Sequence, residues 1–175
     1  MPSIILLPIS PVDRRLIDTL LHPLEREMGM PVAIEERISL NPAFAFDVNR
    51  GQHNSTAILA AMLQKYPENG EKILGITGLD LFVPVLTYVF GEAQLSGRAA
   101  VVSTFRLDET LYGFPANRPL LEERFLKECV HELGHTFGLI HCRNYNCAMH
   151  ASTAVEEIDI KGKTLCDECR KAVKS

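Results

Sequence analysis

The stretch His131-Glu132-Leu133-Gly134-His135-Thr136-Phe137-Gly138-Leu139-Ile140-His141 constrains this chain more than any other. At 3.6 residues per turn, His131 and His135 fall about 40° apart on one helix face and one turn apart along it. Both imidazoles can reach one metal ion. Glu132 lies about 60° from His135, beside the metal's open position without being a ligand. Gly138 can adopt a left-handed conformation, end the helix and turn the chain. That turn lets His141 return as a third ligand. Three neutral imidazoles plus a water make a catalytic zinc site with an exchangeable position. The competing reading is a helix with two surface histidines, and the Gly and third His weigh against it.

A second constellation follows. Four of the five cysteines lie in residues 142–175, as Cys142-x4-Cys147 and Cys166-x2-Cys169. Two pairs at this separation match tetrahedral zinc–thiolate geometry. Two disulfides are disfavoured in a cytosolic chain. A redox pair at Cys166-Asp-Glu-Cys169 would need a strand–helix context that a terminal tail does not offer. Cys129 falls on the apolar stripe of the active-site helix and reads as a reduced core thiol.

The rest of the chain reads as one compact catalytic domain. An apolar share of 46% and a charged share of 23% exclude disorder. The net charge of −4 gives no global attraction to nucleic acid or to anionic membrane. No apolar run approaches the ~18 residues of a membrane span. The N-terminal apolar run has no basic stretch or cleavage site, so the expected location is the cytoplasm. Strands are expected at Ser3–Ile9, Pro31–Ile38, Lys72–Thr77, Thr87–Ala93 and Ala99–Thr104, the last two as a hairpin through Gln94–Gly97. Ser10 is expected to cap a first helix, with Pro11 at its first position, Pro23 ending or kinking it and Gly29 as its outer limit. Asn41–Asn54 reads as a loop. A second helix covers Ile58–Leu63, capped by Asn54 or Ser55, and the longest helix spans Asn117–Gly138. The tail beyond Gly138 reads as irregular, with a short closing helix near Asp167–Val173. Having few large apolar residues, it should depend on a metal for order.

The histidine stretch resembles the long zinc-binding consensus of the metzincin metallopeptidases. Met149, eight residues past His141, matches their Met-turn. A third His followed directly by Cys, then Cys-x-Met, then a late Cys-x-x-Cys, is similar to archaemetzincins. Arg50-Gly51-Gln52, Thr77-x2-Asp80-Leu81 and Val101-Val102-Ser103 before Arg106-Leu107 also look like that family. The resemblance implies an α/β (α+β) metzincin-like fold: a twisted mixed five-stranded sheet with backing and active-site helices, plus a small C-terminal subdomain. It divides the chain into residues 1–138, the upper subdomain, and 139–175, the lower one with the Met-turn. It implies two zinc ions per chain: a catalytic zinc on His131, His135 and His141 with Glu132 as general base, and a structural zinc on Cys142, Cys147, Cys166 and Cys169. A peptide or protein substrate would lie extended on an edge strand at Ala99–Thr104. The chain is expected to be a monomer with no nucleic-acid or membrane partner.

Two rival functions are weighed. A peptide- or metal-binding pseudo-peptidase is disfavoured by the intact Glu132. A four-cysteine nucleic-acid binder is disfavoured by the negative charge and by the lack of a basic–aromatic cluster. His150 reads as a solvated loop residue with the cleft as its alternative, and His22 and His53 as loop or surface residues.

Overall fold

The computed structural model describes residues 3–66 and 68–174. Met1, Pro2, Pro67 and Ser175 lie outside the described residues, and with them the two extreme ends of the expected subdomains.

The fold is a mixed α/β arrangement about one five-stranded sheet. Strand β1 (Ile4–Ile9) is followed by helices α1 (Arg14–Asp18) and α2 (Leu21–Met28) and strand β2 (Val32–Ile34). Short strands β3 (Phe46–Asp47) and β4 (Gln52–Asn54) precede helix α3 (Ser55–Lys65). Then come β5 (Lys72–Thr77), β6 (Leu81–Phe82), β7 (Gly91–Ala93) and β8 (Ala99–Ser103). Helices α4 (Arg118–Thr136), α5 (Val155–Ile160) and α6 (Asp167–Val173) complete the chain. The main sheet has the order β2-β1-β5-β8-β7, and β3-β4-β6 form a small second sheet. All neighbours in the main sheet are parallel except β7 on β8.

This topology corrects the expected substrate edge. β8 is paired on both sides, with β5 and with β7. The Gln94–Gly97 turn folds β7 back over β8, so the free edge beside the histidines is Gly91–Ala93. Residues 99–103 are buried throughout, as a central parallel strand requires.

Helix boundaries are set by local chemistry. Asp13, not Ser10, caps α1, accepting from the Arg15 N–H at 2.9 Å. The expected first helix is interrupted at Thr19–Leu20, ahead of Pro23, and Pro23 itself sits in the first turn of α2, where its missing N–H costs nothing. Gly29 closes α2 at φ +69°. Asn54 caps α3 and Asn117 caps α4, each through its side-chain oxygen. The expected loop 41–54 contains a 3-10 turn and two of the three strands of the small sheet.

Helix α4 lies under the sheet and is buried nearly all round. Phe125, Cys129, Val130 and Leu133 enter the core, and Cys129 is a free buried thiol. Burial also takes in Arg124, Lys127, Glu128, His131 and Glu132, so that face needs partners. The C-terminal segment supplies them. Arg124 forks onto Asp159 at 2.6 and 2.7 Å. Lys127 donates to the Ile158 and Asp159 carbonyls at the end of α5. Lys161 pairs with Glu128 at 2.7 Å. Val155, Ile158, Leu165 and Val173 join the main core. The tail is therefore more firmly packed than its sparse apolar content implies, because it satisfies the polar face of α4. Among the described residues no helix is long and apolar enough to cross a membrane.

Candidate active site

The three histidines converge. Their ligand nitrogens lie within 4.8 Å of one another. Helix α4 carries the first two. The chain then turns at Gly138, with φ +88°, to bring His141 back, its ring centroid 5.3 Å from that of His131 and 5.2 Å from that of His135. Two main-chain carbonyls fix the tautomers. His131 Nδ1 donates to the Ala148 oxygen at 2.8 Å, and His135 Nδ1 donates to the Leu139 oxygen at 2.7 Å. Each Nε2 is then a lone pair. The two lie 3.1 Å apart, an arrangement that repels unless a cation sits between them. A tetrahedral ion with ~2.0–2.1 Å bonds to nitrogen sets an edge of about 3.3 Å, so the donor set fits zinc. Burial holds the His131 imidazolium well below its usual pKa, aided by Lys161, and lowers that of His141. Both effects favour the neutral, ligating form.

Glu132 shares the cleft without joining that cluster. Burial pushes its carboxyl well above the usual range; Glu128 adds to this and Lys161 opposes it. The cleft, of about 520 Å³, runs between α4, the edge strand β7 and residues 151–153. Met149 is fully buried beneath α4 against Gly134. Its carbonyl accepts from the Cys142 N–H at 2.9 Å, tying the Met149 turn to the residue after His141.

The four cysteine sulfurs also lie within 4.8 Å of one another. Cys142 Sγ and Cys166 Sγ are 3.9 Å apart, against about 3.8 Å for a tetrahedral edge with ~2.3 Å metal–sulfur bonds. All are free thiols, so the disulfide alternative finds no support here. The Cys166 N–H donates to Cys147 Sγ at 3.3 Å, the amide–sulfur contact that stabilises a thiolate.

The outlying motif residues brace the 86–88 segment that walls the cleft. Arg106 forks onto Asp80 at 2.6 and 2.7 Å, and Gln52 bonds the same carboxylate. Arg50 donates to the Leu86 carbonyl at 2.6 Å and covers the Phe82 ring. Arg106 covers the Tyr88 ring, whose hydroxyl reaches across to the Thr153 carbonyl at 2.9 Å. His150 stands outside the cleft, donating to the Cys142 carbonyl and stacked on Tyr145. His22 is exposed beside Glu25, and His53 lies against Phe46.

Sequence reasoning missed Tyr88, Glu128 and Lys161 as cleft residues. A signal existed for Glu128: it stands one turn before Glu132, on a stripe with Arg124, Lys127 and His131 that reads as a wet helix face. Lys161 carries no such signal, because α5 was not expected.

A mixed sheet laid over a histidine-bearing helix, with a cleft between that helix and a free strand edge, defines a zinc metallopeptidase of the metzincin-like kind. The comparisons then give the family. Residues 17–175 match the model of Peptidase family M54, and the chain belongs to that family. It is 36% identical over 174 residues to the archaemetzincin of Pyrococcus abyssi, covering 97% of this chain and 93% of the relative. It superposes on a zinc-dependent peptidase from Methanocorpusculum labreanum with a TM-score of 0.88 and 31% identity, over 97% of this chain and 99% of that one. An archaemetzincin from Archaeoglobus fulgidus, complexed with malonate, matches at a TM-score of 0.82 and 34% identity over the same shares. The metzincin-like fold and the metallopeptidase class expected from the sequence both stand.

Proposed function

We propose that this chain hydrolyses peptide bonds with a catalytic zinc held by His131, His135 and His141 and with Glu132 as general base. A second, structural zinc is held by Cys142, Cys147, Cys166 and Cys169. The observation that carries the reading is the pair of Nδ1-to-carbonyl bonds, which turns both α4 imidazoles' Nε2 lone pairs toward one point beside Glu132. Bound zinc supplies a Lewis acid that acidifies its water and polarises the scissile carbonyl. The other steps belong to the chain. The free edge of β7 receives an extended peptide by main-chain hydrogen bonding. Glu132 accepts a proton from the attacking water and delivers it to the departing amine. Leu86–Phe90 and Ala151–Thr153 wall the cleft around the reacting centre.

Four thiols kept free for a metal fit a reducing compartment such as the cytoplasm. The test is Glu132→Ala with metal analysis. Turnover of a peptide library should fall ~10²–10⁴-fold while the zinc content stays at the wild-type value. Full activity in the variant, or loss of metal from it, would contradict the assignment.

A further inference from the structure

The cleft extends beyond the reacting centre toward the N-terminal half of α4. There Glu128 lies one turn before Glu132, about 6 Å along the axis. Lys161 and Ser152 line the cleft with it. The Lys161 ammonium and Glu128 carboxylate are 2.7 Å apart, with side-chain exposures of 1% and 4%. Beyond this ion pair, Glu128 Oε1 has no hydrogen-bonding partner, and among the described residues buried Ser152 Oγ has none at all. Among the described residues Lys161 otherwise donates to the His150 carbonyl, at 3.4 Å, and lies 3.5 Å from His131 Nδ1, whose proton is already given to the Ala148 carbonyl.

A buried polar group without a partner is costly, and a cleft that contains one fits a ligand able to satisfy it. An ammonium offers three donors, and a carboxylate oxygen accepts more than one hydrogen bond. Side by side, the two charges present a donor and an acceptor within one bond length of each other. A substrate carboxylate would meet Lys161 but be repelled by Glu128, and a substrate cation would meet the reverse. An apolar side chain would leave the hydroxyl unpaired. A carboxamide matches both charges, its carbonyl accepting from Lys161 and its NH₂ donating to Glu128, with Ser152 free to serve either.

We propose that Glu128, Lys161 and Ser152 form a side-chain pocket selective for a carboxamide, Asn or Gln, on the substrate residue beside the scissile bond. The proposal rests on the peptidase reading for its substrate but is tested by binding.

The experiment uses the full chain, zinc-loaded and carrying Glu132→Ala to suppress turnover. It is titrated calorimetrically with Ala/Gly peptides holding one Gln, Glu, Lys or Met. Gln should bind tightest, about tenfold better than Met, the worth of one hydrogen bond to a charged group. Adding Lys161→Met should make the Lys peptide the tightest, because Glu128 is left alone. Adding Glu128→Gln should do the same for the Glu peptide. Glu128→Gln with Lys161→Met, which strands no charge should a single variant fail to fold, should erase the tenfold preference for Gln over Met. The same order of affinities in every variant, Met tightest in the parent chain, or no binding of any peptide would overturn the pocket. Hydrolysis by the unaltered chain is scored separately. Cleavage without a Gln preference sinks the pocket alone, and a Gln preference without cleavage sinks the peptidase reading alone.

Discussion

A Cβ on Gly134 would overlap the Met149 sulfur, and one on Gly91 would sit 2.7 Å from Glu132 Cγ and 2.9 Å from its Oε1. These glycines are needed for close approach and not for backbone freedom, since neither has a positive φ. Gly134 lets the Met149 turn seat directly beneath the two α4 histidines. Gly91 lets the edge strand β7 pass over the carboxylate proposed as general base. Gly134→Ala must push Met149 away, and overpacking of this kind costs about 1–3 kcal/mol. The Ala148 carbonyl, which orients His131, moves with it. The expected result is a lower urea midpoint together with weaker zinc binding in a chelator competition. Gly91→Ala should leave zinc affinity near wild type, because the atoms nearest its added Cβ belong to Glu132 and Val101. It should cut turnover roughly 10²-fold, the scale of an ångström-sized misplacement at a reacting centre. Turnover within a factor of two of wild type would show that β7 does not set the position of Glu132.

Helix α4 is held at both ends by groups far from it in sequence or outside its own turns. Asn117 caps the start. At the finish, the Ser96 N–H donates to the His135 carbonyl at 2.9 Å. Lys72 on β5 donates to the carbonyls of Thr136 and Gly97 at 2.8 and 2.7 Å and lies over the Phe137 ring. A cation on the last exposed carbonyls complements the helix dipole. Lys72→Met should cost about 1.5–3 kcal/mol, the range for hydrogen bonds made by a charged group, as read from equilibrium unfolding. The helix, its Gly138 stop and the His and Cys clusters were legible in the sequence, because spacing along one helix and short-range Cys pairs are local signals. The edge strand was not, since strand order depends on which neighbour a hairpin covers, and residues 87–103 read alike with β7 or β8 outermost. Helix α5 was hidden for a related reason. Val155-Glu156-Glu157-Ile158-Asp159-Ile160 has only two buried apolar residues, and its anchorage comes from the charged face of α4. That face looks solvated until the partner is in place.

At the scale of the whole molecule, the two proposed zinc sites share one short stretch of chain. His141 is followed at once by Cys142, whose N–H bonds the Met149 carbonyl and whose carbonyl accepts from His150. Cys147 lies two residues before Met149 and receives the Cys166 N–H. The donor sets differ in chemistry, so their metals should differ in lability. Neutral imidazoles beside an open position release zinc to a mild chelator, or to acid as they protonate, before four thiolates do. Reconstitution with excess zinc should give two ions per chain, one leaving first. A content of one would remove one of the sites. The stretch also bears on how the sites communicate. Residues 155–173 are anchored independently through Arg124–Asp159, Lys161–Glu128 and Arg170–Glu27, the last at 2.9 Å. Loss of one thiolate should therefore leave α5 packed on α4 and loosen chiefly residues 142–150. That segment carries the Ala148 carbonyl that orients His131 and the Met149 carbonyl that holds the residue after His141. Cys166→Ala is accordingly expected to keep the sheet core folded by near-ultraviolet dichroism while weakening zinc at the three-histidine site ~10–100-fold, the scale of losing a group that orients a ligand. Competition with a calibrated chelator measures this directly. An unchanged affinity would mean that the histidine site draws its order from α4 alone and that the two metals are independent.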